Sequence, residues 1–136
     1  MGEFVRDPND WLRKLSPGEW IRAALGEIER ATAAYHRGDM RGGSTGAKRA
    51  AGMALNGALI VEPNASWGRT YVEHVAALAA DPSVPEAVRS ACIAVLDTPA
   101  RAVGIVSLRT PRANERVLEA ARDVVAHAWA VVKKHE

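Results

Sequence analysis

The sequence predicts an all-α fold, a single-domain antiparallel helical bundle of four to six helices over residues 1–136. Three observations predict it. Apolar residues make up 48% of the chain but aromatics only 5%, so the apolar content is mostly alanine, valine and leucine. With abundant arginine and glutamate, that mixture favours helix over strand. Apolar residues then recur at three- and four-residue steps in several separate windows. Short clusters of Gly, Pro, Asn and Asp stand between those windows. A chain of 136 residues can bury a core without a metal or a disulfide, and a lone cysteine, Cys92, cannot form an internal one.

The first helix candidate is the short "DPNDWLRKL", with Asp7 or Asn9 as its cap. The next has the clearest start in the chain. Ser16 is its N-cap, Pro17 takes the first helical position and Glu19 completes a capping box. Ile21, Leu25, Ile28, Thr32 and Tyr35 follow on one face, and Gly38 stops the helix.

Residues 42–52, "GGSTGAKRAAG", invite comparison with a phosphate-binding loop. That loop needs glycine at 47 and serine or threonine at 49, where this chain has Ala47 and Arg49. It also needs a preceding strand, and "AAYHRGDMR" is the tail of an amphipathic helix. The glycines therefore read as an interhelical turn. A helix capped by Ser44 or Thr45 follows, with Ala47, Ala50, Ala51, Ala54, Leu55, Ala58 and Leu59 at helical spacing until Pro63. Gly46, Ala50, Ala54 and Gly57 keep this helix thin. A thin helix packs tightly inside one bundle or forms a seam between two chains.

A further helix is expected from about residue 66 to 80, with Tyr71, Val75, Leu78 and Ala79 inward. After the break "DPSVP", another carries Val88, Cys92, Val95 and Leu96. Cys92 sits on that apolar line and reads as a small buried hydrophobe. The stretch "DTPARAVGIVSLRTPRAN" lacks a helical pattern, and "VGIVSL" reads as a brief strand or packed loop. Thr110 and Pro111 open the last helix, whose inner line is Val117, Ala121, Val124, Ala128 and Val131. Lys133, Lys134 and His135 sit at its C-terminus, where positive charge suits the helix dipole.

The amphipathic helix, the glycine-rich turn, "GAKRAAGMALNGALI", "YVEHVAALAAD" and "ANERVLEAARDVVAHAWAVV" together resemble the small helical bundles called HEPN domains, over Trp11 to Val132. The resemblance implies an all-α bundle. Many HEPN members are metal-independent ribonucleases with an Arg-x(4–6)-His motif near the last helix, often with a polar residue after the arginine. Two segments match, "RTYVEH" (Arg69 to His74) and "RDVVAH" (Arg122 to His127, with Asp123 after the arginine). The second lies on the last helix, so the resemblance makes Arg122, Asp123 and His127 the catalytic candidates. An imidazole moves protons at neutral pH and an arginine holds a phosphate. Five residues along a helix turn through about 140°, so Arg122 points outward while His127 lies at the edge of the core. The pair converges only with a second chain or a break in the helix.

Other chemistry is sparse. The four histidines have no metal-ligand spacing, and no metal or cofactor is expected. Asn56 is a polar residue within an apolar helix, expected to face solvent or bond a neighbouring carbonyl. Net charge is +2, so any nucleic-acid surface has to be local. Two basic sets qualify, Arg37, Arg41, Lys48 and Arg49 around the first turn, and Arg101, Arg109, Arg112 and Arg116 around the irregular segment. Each is a solvated face or an anion contact beside a helix N-terminus; Arg41, Lys48, Arg49, Arg109, Arg112 and Arg116 are the candidates. Trp129 lies about 140° from Val124 on the last helix, an outward indole that a partner would cover, which predicts a homodimer.

The charged N-terminus, "MGEFVRDPND", has no apolar signal core, and no apolar run approaches a membrane span. A cytoplasmic protein without a membrane partner is expected. Two functions follow, a dimeric, non-catalytic interaction module resembling HEPN domains that binds a protein or a nucleotide or nucleic-acid partner, and a HEPN-type endoribonuclease.

Overall fold

The computed structural model describes residues 3–97 and 111–136. Among them all regular structure is helical. The helices are α1 (Pro17–His36), α2 (Met40–Val61), α3 (Tyr71–Ala80), α4 (Glu86–Leu96) and α5 (Pro111–Lys134), with a 3₁₀ turn at Ala65–Trp67. They form an all-α bundle in which α2 touches each of the other four helices. No helix among the described residues is long and apolar enough to cross a membrane.

The expected capping box starts α1. The Glu19 N–H donates to Ser16 Oγ at 3.2 Å and the Ser16 N–H donates back to Glu19 Oε1 at 2.8 Å. Arg6 adds a 2.6 Å ion pair to the same carboxylate oxygen. The Ser16 amide and Arg6 together hold the Glu19 carboxyl down at about 2. The buried face runs through Trp20, Ile21, Ala24, Ile28, Ala31, Ala34 and Tyr35. Leu25, expected inside, is 46% exposed, because Ala24 takes the contact with the core. Gly38 closes the helix with φ +84°, a left-handed conformation that glycine adopts without strain.

Three sequence expectations need correction. "DPNDWLRKL" is a series of turns, because its aspartates bond locally and compete with the helix. Asp7 accepts the Asn9 N–H at 3.0 Å and Asp10 accepts the Leu12 N–H at 2.8 Å. The glycines at 42 and 43 are not an interhelical turn, since α2 already starts at Met40. Its N-cap is Asp39, which accepts the Gly42 N–H at 2.8 Å, so Ser44 and Thr45 are interior. The helix expected from 66 to 80 is interrupted. Asn64 caps the 3₁₀ turn, Gly68 breaks it with φ +71°, and a second capping box, Thr70 with Glu73, starts α3.

The thinness of α2 is used inside the chain. A Cβ on Gly46 would lie 2.9 Å from Ala31 Cβ, and one on Gly57 would lie 2.9 Å from the Pro17 carbonyl oxygen. Both are on α1's side, so the backbones of α1 and α2 approach through these gaps. Interior glycines cost about 1 kcal/mol each in helix propensity; the contacts of the close approach offset that. Further along, α4 buries Ala91, Cys92 and Val95. Burial pushes the Cys92 thiol up to about 11, so it packs as a protonated, apolar side chain. On α5, Val117, Ala121, Val124 and Ala128 are buried as expected, and Val131 packs against the core partly buried. Thr110 and "VGIVSL" lie outside the described residues.

The glycine gaps give the first prediction. Gly46→Val overpacks the α1–α2 contact and should lower unfolding free energy by about 1–3 kcal/mol. Gly26, also mid-helix, would place its Cβ at an ordinary 3.6 Å from the Arg30 side chain, so Gly26→Ala should raise stability by about 0.5–1 kcal/mol. Urea denaturation of the two variants measures both signs.

Candidate functional site

The polar centre of the bundle joins α2 to α3. Asn56 on α2 is 2% exposed and His74 on α3 is fully buried. His74 Nε2 lies 2.7 Å from Asn56 Oδ1, and His74 Nδ1 lies 3.0 Å from the Trp67 carbonyl oxygen. A carbonyl only accepts, so Nδ1 carries the proton. Burial lowers the His74 pKa against the opposing pull of the Trp67 carbonyl, which leaves the ring neutral near pH 7. Nε2 is then a lone-pair acceptor. It pairs with the Asn56 amide once that side chain turns its NH₂ inward, a half-turn that exchanges two nearly isosteric atoms.

Aromatic rings enclose this pair. Trp11 stacks on His74 with centroids 6.0 Å apart and planes at 30°, and Trp67 lies tilted at 6.1 Å. Trp20 Nε1 donates to the Leu12 carbonyl at 2.8 Å, tying the N-terminal turns to α1. The Arg69 guanidinium stands 5.3 Å from the Trp11 ring centroid and the Lys14 ammonium 5.7 Å from that of Trp20. Between these groups lies a surface pocket of about 280 Å³, lined by Trp11, Trp20, Tyr71, Lys14, Arg69 and Asn56 among others. Sequence reasoning singled out Asn56, His74 and Tyr71 separately. It missed that they converge, because Asn56 and His74 are 18 residues apart and on different helices.

The catalytic candidates occupy α5. Arg122 and Asp123 are exposed and His127 is half-buried. Arg122 and His127 lie on different faces of the helix, as five residues of helical rotation require. His127 opens on a groove of about 420 Å³ that also presents Glu62, Asp81 and Lys134. Burial lowers the His127 pKa and Glu62 raises it. Glu62 itself accepts from His135 Nε2 at 2.7 Å and from Lys134 Nζ at 3.2 Å. The groove thus presents two carboxylates and one ammonium along with the imidazole.

The basic candidates divide. Arg49 pairs with Glu27 of α1 at 3.6 Å. Arg41 is exposed and Lys48 partly so, on nearly one face of α2 seven residues apart. Arg112 and Arg116 are exposed on the first turns of α5. Asn114 Nδ2 approaches Met40 Sδ at 3.8 Å, and Leu118, Tyr35 and Ala31 form one apolar cluster with Met40. These contacts bring the starts of α2 and α5 to the same end of the bundle, so Arg41, Arg112 and Arg116 share it. Glu115 and Glu119 are exposed there too. Arg101 and Arg109 lie outside the described residues. No group of His, Cys, Asp and Glu among the described residues could hold a metal.

Compared with family models, with curated proteins and with solved structures, the chain matches none.

His74 sets a pH dependence. Its folded pKa is depressed below the unfolded value near 6.5. The folded state therefore binds fewer protons than the unfolded state in that range, so stability is complete above about pH 6.5 and falls as pH drops through the folded pKa. His127, shifted the same way, adds to the fall. Thermal melts from pH 8 to 5 should show a plateau and then a decline, with a shallower decline in His127→Gln.

Proposed function

We propose that the chain is a non-catalytic interaction module, an antiparallel HEPN-like bundle that forms a homodimer and binds nucleic acid through its basic end. The observation that carries this reading is the packing of Asn114 against Met40, which draws two basic sets, distant in sequence, to one end of the bundle. Phosphate contacts from exposed arginines supply sequence-independent affinity. The alternative, a ribonuclease using Arg122, Asp123 and His127, lacks such support. Its arginine and histidine diverge within one chain, and the groove at His127 also carries the carboxylates of Glu62 and Asp81. Support for the dimer comes from Trp129, a large indole left 43% exposed, with the Lys133 ammonium 5.7 Å from its ring centroid.

Fluorescence anisotropy with a single-stranded RNA tests the binding. Arg41→Gln and Arg112→Gln should each weaken it across unrelated sequences and reduce the salt slope by roughly 0.7–1. Salt slopes unchanged in both variants would remove the basic end from the interface. Light scattering should give the dimer mass for wild type and the monomer mass for Trp129→Glu; a monomeric wild type ends the dimer proposal.

An RNA cleavage assay beside thermal melts separates binding from catalysis. Arg122→Ala should change stability by under about 0.5 kcal/mol and His127→Ala should cost about 1 kcal/mol through lost packing. Neither should alter an RNA cleavage rate, because wild type should have none. Cleavage by wild type that vanishes in both variants would overturn the non-catalytic reading.

A further inference from the structure

The pocket beside Asn56 is separate from the basic end and independent of the function proposed above. Asn56 is 2% exposed, one end of its amide is engaged by His74, and the residue lines the pocket. A ligand in the pocket meets the other end directly. With the Trp67 carbonyl placing the His74 proton on Nδ1, a complementary pair requires the half-turn of the Asn56 amide described above, which directs its NH₂ to Nε2 and its carbonyl oxygen to the pocket. The pocket floor is therefore an acceptor.

The walls specify more. Trp11, Trp20 and Tyr71 offer aromatic surface, which selects a flat ring. Lys14 and Arg69 are both exposed and stand over Trp20 and Trp11, so the rim is cationic. Asp10, whose carboxylate feels Arg69, already accepts the Leu12 and Arg13 amides. A volume of about 280 Å³ is at the small end of ligand pockets and admits one ring system rather than a peptide or a duplex.

The geometry points to a binding site for a planar heteroaromatic anion, whose ring N–H donates to Asn56 while its negative group sits between Lys14 and Arg69. A nucleotide and an aromatic carboxylate share that chemistry.

Isothermal titration calorimetry with GMP, indole-3-acetate, 1-methylindole-3-acetate and inorganic phosphate tests the assignment. At least one of the first two should bind, and Lys14→Gln with Arg69→Gln should weaken it at least tenfold while thermal melts show the fold intact. GMP alone binding assigns the nucleotide source; indole-3-acetate alone assigns the carboxylate. Where indole-3-acetate binds, its N-methylated form should be at least tenfold weaker, since it lacks the N–H. Failure of both GMP and indole-3-acetate to bind at millimolar concentration overturns the site. So does inorganic phosphate binding as tightly as GMP, a methylated probe as tight as its parent, or unchanged affinity in the double variant. Any of these results leaves RNA binding at the basic end untouched, so the two proposals fail separately.

Discussion

The close approach of α1 to α2 is the contact on which the rest of the bundle depends. Helix α2 has 22 residues, and 13 of them are buried, yet the only large apolar side chains among the buried ones are Leu55 and Leu59. A central helix of that kind cannot fill space with side-chain volume. It stabilises the fold by letting other helices come near, so that backbone and Cβ atoms make the dispersion contacts that leucines make elsewhere. Gly46 faces Ala31, and Gly57 faces the first residue of α1. With α1 held at that distance, α3, α4 and α5 close around the remaining faces of α2.

A slender core helix also explains why a polar pair can sit inside. Asn56 is next to Gly57 on α2, and Tyr71 packs against Gly52. The start of α3 thereby lies tight on α2, and His74, one turn further along, is brought to Asn56. The two capping boxes then fix which turn begins each helix, since an N-cap and its N3 partner satisfy two amides at once. At α3 this matters for the pocket. Thr70 and Glu73 set the helix start, which in turn sets where Arg69 and Tyr71 project.

Local chemistry was legible in the sequence and tertiary pairing was not. Ser16, Pro17 and Glu19 declare a helix start within four residues, and the inner line of α5 is a simple period. Asp39 was passed over as a cap because the following glycines look like a turn; only the Tyr35 and Ala31 atoms beside Gly43 and Gly46 make helix the better answer. The break at Gly68 was hidden because the residues on either side suit helix. Leu25 falls on the three- and four-residue spacing of the inner face, where the geometry of α1 buries Ala24 instead. The meeting of Asn56 with His74, and of Met40 with Asn114, depends on how helices cross, and neither leaves a mark in any short window. The divergence of Arg122 and His127, by contrast, follows from spacing on one helix and was readable in advance.

The N-terminal turns have a consequence of their own. Residues 3–15 carry no helix, and polar contacts fasten them to α1: Arg6 to Glu19, and Trp20 to the Leu12 carbonyl, while Arg6 also bonds the Lys14 carbonyl within the segment. A segment secured this way detaches by local opening at a smaller free energy than the buried helices need to unravel. Trp11 belongs to it and covers His74. When the segment peels away, water reaches an imidazole that is otherwise sealed, and the dry environment that keeps it neutral is lost. The proton affinity of His74 is thus tied to a tether with two hydrogen-bonded attachments to α1, and amides of that tether should exchange with solvent sooner than those of α2.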